Sequence, residues 1–175
     1  MTDDTIMIRP ATVEDIALVR TMADDVFRKT YAGILSPDQM EYMMEWMYSQ
    51  DSLLQQITGE GKWFCIAECG GVPAGYVSYE FEGTLEDGRR LYHLQKLYVL
   101  PQFQGIGLGK AMLQHVKDAL AAFNPGGCRV ELNVNRCNPA VDFYEHNGLV
   151  RARRGDFPIG NGYYMNDFIY AIDLQ

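Results

Sequence analysis

Residues 102–113 read QFQGIGLGKAML, with glycines at 105, 107 and 109, a lysine at 110, and apolar residues at helical spacing directly behind. Glycines placed this closely let a main chain approach a phosphate with no side chain intervening. A helix starting there adds unpaired N–H groups and about half a positive charge. Two common phosphate loops fail on position. A Walker A loop ending at Gly109-Lys110 needs glycine where Gln104 stands and a hydroxyl where Ala111 stands. A dinucleotide fingerprint begun at Gly105 needs glycine where Lys110 stands, and no early strand-helix-strand unit surrounds it. Taken alone, the stretch also fits a plain glycine-rich turn.

Working outward, LYHLQKLYVL (91–100) precedes the loop as a strand. Met112, Leu113, Val116, Leu120 and Phe123 follow it at three-to-four spacing and predict a helix. KWFCIAE (62–68), a CGG turn, PAGYVSYEF (73–81) and the charged loop EGTLEDGRR make an antiparallel meander with 91–100. Further upstream, TIMIRP (5–10) alternates and stops at proline, like a first strand. Thr12 with Asp15 resembles a capping box and opens a helix with Val13, Ile16, Ala17, Val19 and Phe27 on its apolar side. SPDQMEYMMEWMY (36–48) reads as a second helix, Ser36 its N-cap and Pro37 its first residue, and DSLLQQIT as a short third. Downstream come a strand CRVELNV (128–134), a short helix in NPAVDFYEHNG ended by Gly148, and two strands near 149–154 and 164–174. The order predicts a mixed α/β (α+β) sheet with helices on its faces. With no repeat, low-complexity tract or linker, residues 1–175 are expected to form a single domain.

The bulk numbers narrow the function classes. With 175 residues, 47% of them hydrophobic, the chain suits one compact domain with a sizeable core. No run approaches the roughly 18–20 apolar residues of a membrane span, so no membrane partner is expected. MTDDTIMIRP lacks the features of a secretory signal, which makes a cytoplasmic location the expectation. A net charge of −8 and a pI near 4.8 argue against nucleic acid and fit a cationic acceptor, although such charge also serves solubility alone. Cys65, Cys69, Cys128 and Cys137 form no Cys-x-x-Cys pair and have no histidine at ligand spacing, so they read as reduced thiols and no metal is expected.

LYVLPQFQGIGLGKAML (97–113) resembles the acetyl-CoA motif of the GNAT acetyltransferases, with Gln104, Gly107 and Gly109 on its signature. NPAVDFYEHNGLV (138–150) resembles the family's downstream motif, matching at Asn138, Ala140, Phe143, Tyr144 and Gly148; Leu149 replaces the usual aromatic. The two stretches stand in the family's order. The resemblance implies a GNAT fold: a mixed, mostly antiparallel central sheet of about seven strands, helices on both faces, and a β-bulge in strand 4. It also implies direct transfer of an acetyl group from acetyl-CoA to an amine. On this chain Leu97, Tyr98 and Val99 would lend backbone groups to the pantetheine and thioester. The main chain of Gln104, Gly105, Ile106, Gly107, Leu108, Gly109 and Lys110 would hold the pyrophosphate. Asn138 would bond the pantetheine arm beside Phe143, and Tyr144 would protonate the departing thiolate as general acid.

The acceptor side is less determined. A primary amine of pKa ~10.4 must lose a proton before attack, at a cost of about 4–5 kcal/mol at neutral pH. Where the resemblance implies a glutamate in the fourth strand, this chain has His93, a competent base; Glu80 on the neighbouring strand is the reserve and Glu131 a weaker choice. His93 also reads as an ordinary strand histidine satisfied by its neighbours. Tyr31 and the loop around Gly33 are candidates for an acceptor pocket. The chain is similar to the PaiA-like spermidine/spermine acetyltransferase branch, which implies a polyamine-like or peptide amine as acceptor and allows a homodimer. A non-catalytic acyl-CoA-binding sensor on the same fold is the rival expectation, since no clear carboxylate base is evident; a phosphotransferase is more distant.

Overall fold

A computed structural model describes residues 3–175 as one seven-stranded sheet flanked by five α-helices. Strands β1 (Ile6–Pro10), β2 (Lys62–Cys69), β3 (Val72–Thr84) and β4 (Arg90–Val99) pair antiparallel in sequence order. β5 (Cys128–Asn135) then runs parallel to β4, and β6 (Val150–Gly160) and β7 (Tyr163–Leu174) complete the order β1-β2-β3-β4-β5-β7-β6. Helices α1 (Ile16–Tyr31), α2 (Pro37–Tyr48) and α3 (Gln50–Thr58) pack a core with Phe64, Ile66 and Tyr76 on one face. α4 (Leu108–Phe123) and α5 (Ala140–His146) contribute Met112, Val116, Leu120 and Tyr144 to a second core on the other. The mixed sheet expected from the sequence is therefore the one observed.

Local chemistry accounts for most boundaries. Ser36 accepts from the Gln39 N–H at 3.2 Å and Pro37 opens α2. Gly70 and Gly71 both adopt positive φ and form the two-residue β2–β3 turn. Two readings need correction. The Asp15 carboxylate does accept from the Thr12 N–H at 2.8 Å, but the first turn, Val13–Asp15, is a 3-10 turn that leaves Val13 half exposed outside the α1 stripe. Phe123 ends the α4 periodicity yet is 55% exposed, lying 5.8 Å from Trp63 over the edge of the core.

Two features of the sheet position the site. The first is the bulge. Ser78 pairs with Lys96 but Tyr79 pairs with Leu94, so Gln95 is an extra residue in β4. The β4–β5 ladder ends at the same place, Leu94 opposite Leu132, and beyond it the strands part. Side chains alternate along a strand, so one inserted residue exchanges the faces for everything after it. Tyr92 and Leu94 face the α4 core; after Gln95, Leu97 and Val99 do so, and Lys96 turns to the opposite side with Tyr98. The second is the β6–β7 hairpin, which runs six residues past the expected strand end and turns through Gly160, Asn161 and Gly162, all at positive φ. This extension reaches α2, where Tyr42 donates to the Ile159 carbonyl at 2.7 Å and Gln39 to that of Tyr164 at 2.8 Å. RRGDFPIGNG reads as turn-rich in isolation because Gly155, Pro158 and Gly160 are poor strand formers.

Candidate active site

Where β4 and β5 part, a slot of about 470 Å³ opens between them, lined by Leu97, Tyr98, Val99, Gln104, Gly109, Asn138, Phe143 and Tyr144. Gly105 (φ 83°) and Gly107 (φ 88°) take left-handed conformations at its rim, and Gly107 is the N-cap of α4. The free N–H groups of the first α4 turn thus end an exposed, glycine-lined loop, an arrangement suited to an anion. Gly109 has a different role from its neighbours. It faces the Phe143 ring, which a Cβ there would meet at 3.4 Å, an ordinary contact distance, so the two sequence motifs lie side by side here. The Leu108 side chain is buried in the core and offers only its main chain, whereas Ile106 and Lys110 are exposed. Gln104 donates to the Val99 carbonyl at 3.1 Å, tying the loop to the end of β4.

Asn138 is partly committed. Its side-chain oxygen accepts from the Ala140 N–H at 2.9 Å, fixing the start of α5, and its amide nitrogen reaches the Tyr31 hydroxyl at 3.5 Å. One amide hydrogen is left for a ligand in the slot. Tyr144 is buried against Phe143, ring centroids 5.3 Å apart, and burial pushes its hydroxyl pKa up, so it stays protonated at neutral pH.

On the α1–α3 side lies a larger cavity of about 630 Å³, walled by one face of β3 to β7 and roofed by α1, α2, α3 and the β6–β7 extension. Tyr31, Gln95, Lys96, Tyr98 and Asn133 line both this cavity and the slot, so the two meet at the bulge. Four carboxylates line the cavity, Glu80, Glu82, Glu131 and Asp167, against the cationic Lys96 and Arg153 and a titratable His93. Among the expected bases, Glu131 is set aside by its partners. Arg153 at 2.8 Å and Arg129 at 3.0 Å hold it, and their hydrogen bonds keep its pKa below the usual range. Glu80 accepts from Gln95 at 2.9 Å and faces Lys62 at 3.8 Å. His93 lines the cavity, its Nδ1 3.4 Å from Glu82, whose carboxyl is held below its ordinary pKa by that contact.

Sequence reasoning passed over Glu82, Lys96, Asn133 and Asp167. Asp167 was readable: along β7 it shares the cavity-facing parity with Met165 and Ile169, an acid between two apolar residues. Lys96 was not, because without the bulge its parity points to the other core. Its ammonium is buried, donating to Gln56 Oε1 at 2.6 Å and lying 5.2 Å from the centre of the Tyr48 ring; burial lowers its pKa to about 8. That value is below the unfolded 10.5, so Lys96 opposes folding fully below pH 8 and ceases to do so as pH rises to 10.5. The penalty is on the order of 3 kcal/mol. Lys96→Met is expected to stabilise the fold by about 1–3 kcal/mol at pH 7, less what the orphaned Gln56 oxygen costs. Denaturant melts should show this gain shrinking between pH 8 and 10.

Comparison with known proteins agrees with this geometry. The sequence profile of the Acetyltransferase (GNAT) family matches residues 24–149. Among solved structures, the PaiA N-acetyltransferase of Thermoplasma acidophilum, in complex with coenzyme A, superposes with a TM-score of 0.76 at 23% identity, over 95% of this chain and 98% of that one. A GCN5-related N-acetyltransferase from Rhodopseudomonas palustris gives 0.78 at 22%, over 99% of both chains. The ribosomal-protein-S18-alanine N-acetyltransferase of Escherichia coli gives 0.68 at 20%, over 98% and 95%.

Proposed function

This chain belongs to the GNAT acetyltransferase family, and from that footing we propose that it transfers an acetyl group from acetyl-CoA to a primary amine of a small, polyamine-like molecule or a peptide. The observation carrying the proposal is the junction at Gln95: a slot suited to the donor opens there into a cavity with four carboxylates, suited to an acceptor that arrives as a cation. Acetyl-CoA supplies the activated thioester. The residues fit it: the Gly105–Gly107 loop and the α4 N–H groups suit a pyrophosphate, and the spare Asn138 hydrogen suits a pantetheine amide.

In this reading the main chain of Leu97–Val99, freed from β5, hydrogen-bonds the thioester arm. His93 takes the amine's proton, with Glu82 behind its Nδ1 to hold the ring and stabilise its charged form. Tyr144 gives a proton to the leaving sulfur. Both proton donor and acceptor are side chains of this chain, and no covalent enzyme intermediate is required.

A thiol-release assay over an amine panel, starting with spermidine and peptides with free N-termini, tests the function. Release that depends on the amine is expected, and His93→Ala should lower kcat by about 10- to 100-fold at neutral pH, less at high pH where the free amine is abundant. Tight calorimetric CoA binding without release from any amine would instead favour a non-catalytic CoA sensor.

A further inference from the structure

Asp167 differs from every other carboxylate in the acceptor cavity. Glu131 is held by two arginines, Glu82 by His93, and Glu80 by Gln95 and Lys62. Asp167, 1% exposed, receives a single hydrogen bond, from the Asn133 amide at 3.2 Å, and no cation lies within ion-pair distance of it among the described residues. The cations around it are committed elsewhere. Arg136 donates to the Gly155 carbonyl and to Asp156, and meets Asp167 only at its main-chain oxygen; Arg153 serves Glu131 and Lys96 serves Gln56. His93 on β4 and Tyr31 on α1 are the other titratable groups near enough to feel its charge. Burial accordingly raises its pKa, as expected for a carboxylate lacking a counter-ion. Its one partner, Asn133, lines both the donor slot and the cavity, which puts Asp167 beside the junction.

A nearly inaccessible carboxylate facing a cavity with an amide as sole partner has the complement of a cation designed into it. The geometry points to Asp167 as the seat of the acceptor's ammonium: the residue that captures the amine in its charged form at the mouth of the donor slot, before His93 removes the proton. Asp167 then sets the affinity for the acceptor, and His93 sets the rate. The kinetic part of this inference rests on the acetyltransferase reading above; the binding part does not.

The test compares wild type with Asp167→Asn, which keeps the shape and a partner for Asn133, and with Asp167→Ser as a second variant should the first misfold. Calorimetry measures spermidine and an alanine-initiated tripeptide binding to the CoA-saturated protein, and initial rates give KM and kcat. Aniline, neutral at the assay pH, is the comparison acceptor. Acceptor Kd and KM are expected to rise at least about tenfold for the cations, with kcat within about threefold, CoA affinity unchanged and aniline unaffected. Unchanged Kd and KM overturn the inference. So does an equal loss for aniline, which marks a structural role, or a fall in kcat at constant KM, which makes Asp167 the base. Wild-type protein that turns over other amines but binds neither cation overturns it while leaving the acetyltransferase reading intact. Cation binding that Asp167→Asn abolishes, without turnover of any amine, supports the seat and removes the enzyme.

Discussion

Tyr144→Phe is expected to lower kcat by about 10²- to 10³-fold while CoA affinity stays within about threefold. The substitution removes one oxygen from a buried ring packed on Phe143 and leaves the slot's shape intact. Leu97, Val99, Ala140 and Phe143 make the apolar part of the slot wall, and a thiolate leaving against them without a proton is a poorly solvated charge. The hydroxyl removes that charge as it forms. The loss corresponds to about 3–4 kcal/mol of transition-state stabilisation. Because burial keeps the phenol protonated through the neutral range, the ratio of wild-type to variant rates should be flat from pH 6 to 9. A variant with full turnover would remove Tyr144 from the proton path.

Deleting Gln95 should abolish CoA binding, with affinity reduced by more than about 100-fold, while the fold is retained. Without Gln95, Leu94 and Lys96 become neighbours opposite Tyr79 and Ser78, and regular alternation keeps Tyr92, Leu94, Leu97 and Val99 on the α4-side core. With the bulge gone β4 also has no reason to leave β5 at Leu94, so the slot closes. Gln95→Ala separates side chain from spacing: it removes the contact to Glu80 but keeps the extra residue, and CoA affinity is expected within about threefold of wild type. Calorimetry with circular dichroism distinguishes the two variants. A deletion variant that still binds CoA would show that the strands part for another reason.

Much of this arrangement was legible along the chain. The glycine loop with its helix and the NPAVDFY segment lie where expected, because both act through main-chain geometry encoded within a few residues: positive φ at Gly105 and Gly107, and an Asx turn from Asn138 to the Ala140 N–H. Gly109 lines the slot beside Phe143, 34 residues further along the chain. The acceptor side was harder. His93 and Glu80 line the cavity, whereas Glu131 is tied to two arginines, from β5 and β6, and only the register brings Arg153 to it. The register of Asp167 is readable along β7, but that no side-chain cation serves it follows only from the commitments of the surrounding cations.

By itself, then, the sequence determined the elements and the glycine loop, properties of local spacing, together with the motifs that resemble the GNAT family: glycine where φ must be positive, apolar residues every three or four along a helix and every two along a strand. The tertiary structure decided which side chains face the cavity. That depends on a single inserted residue, Gln95, whose effect on parity is invisible in the composition of β4, and on which charges are already paired across strands. Pairing is a property of three-dimensional neighbours, and it leaves Asp167 as the carboxylate without a cation among the described residues.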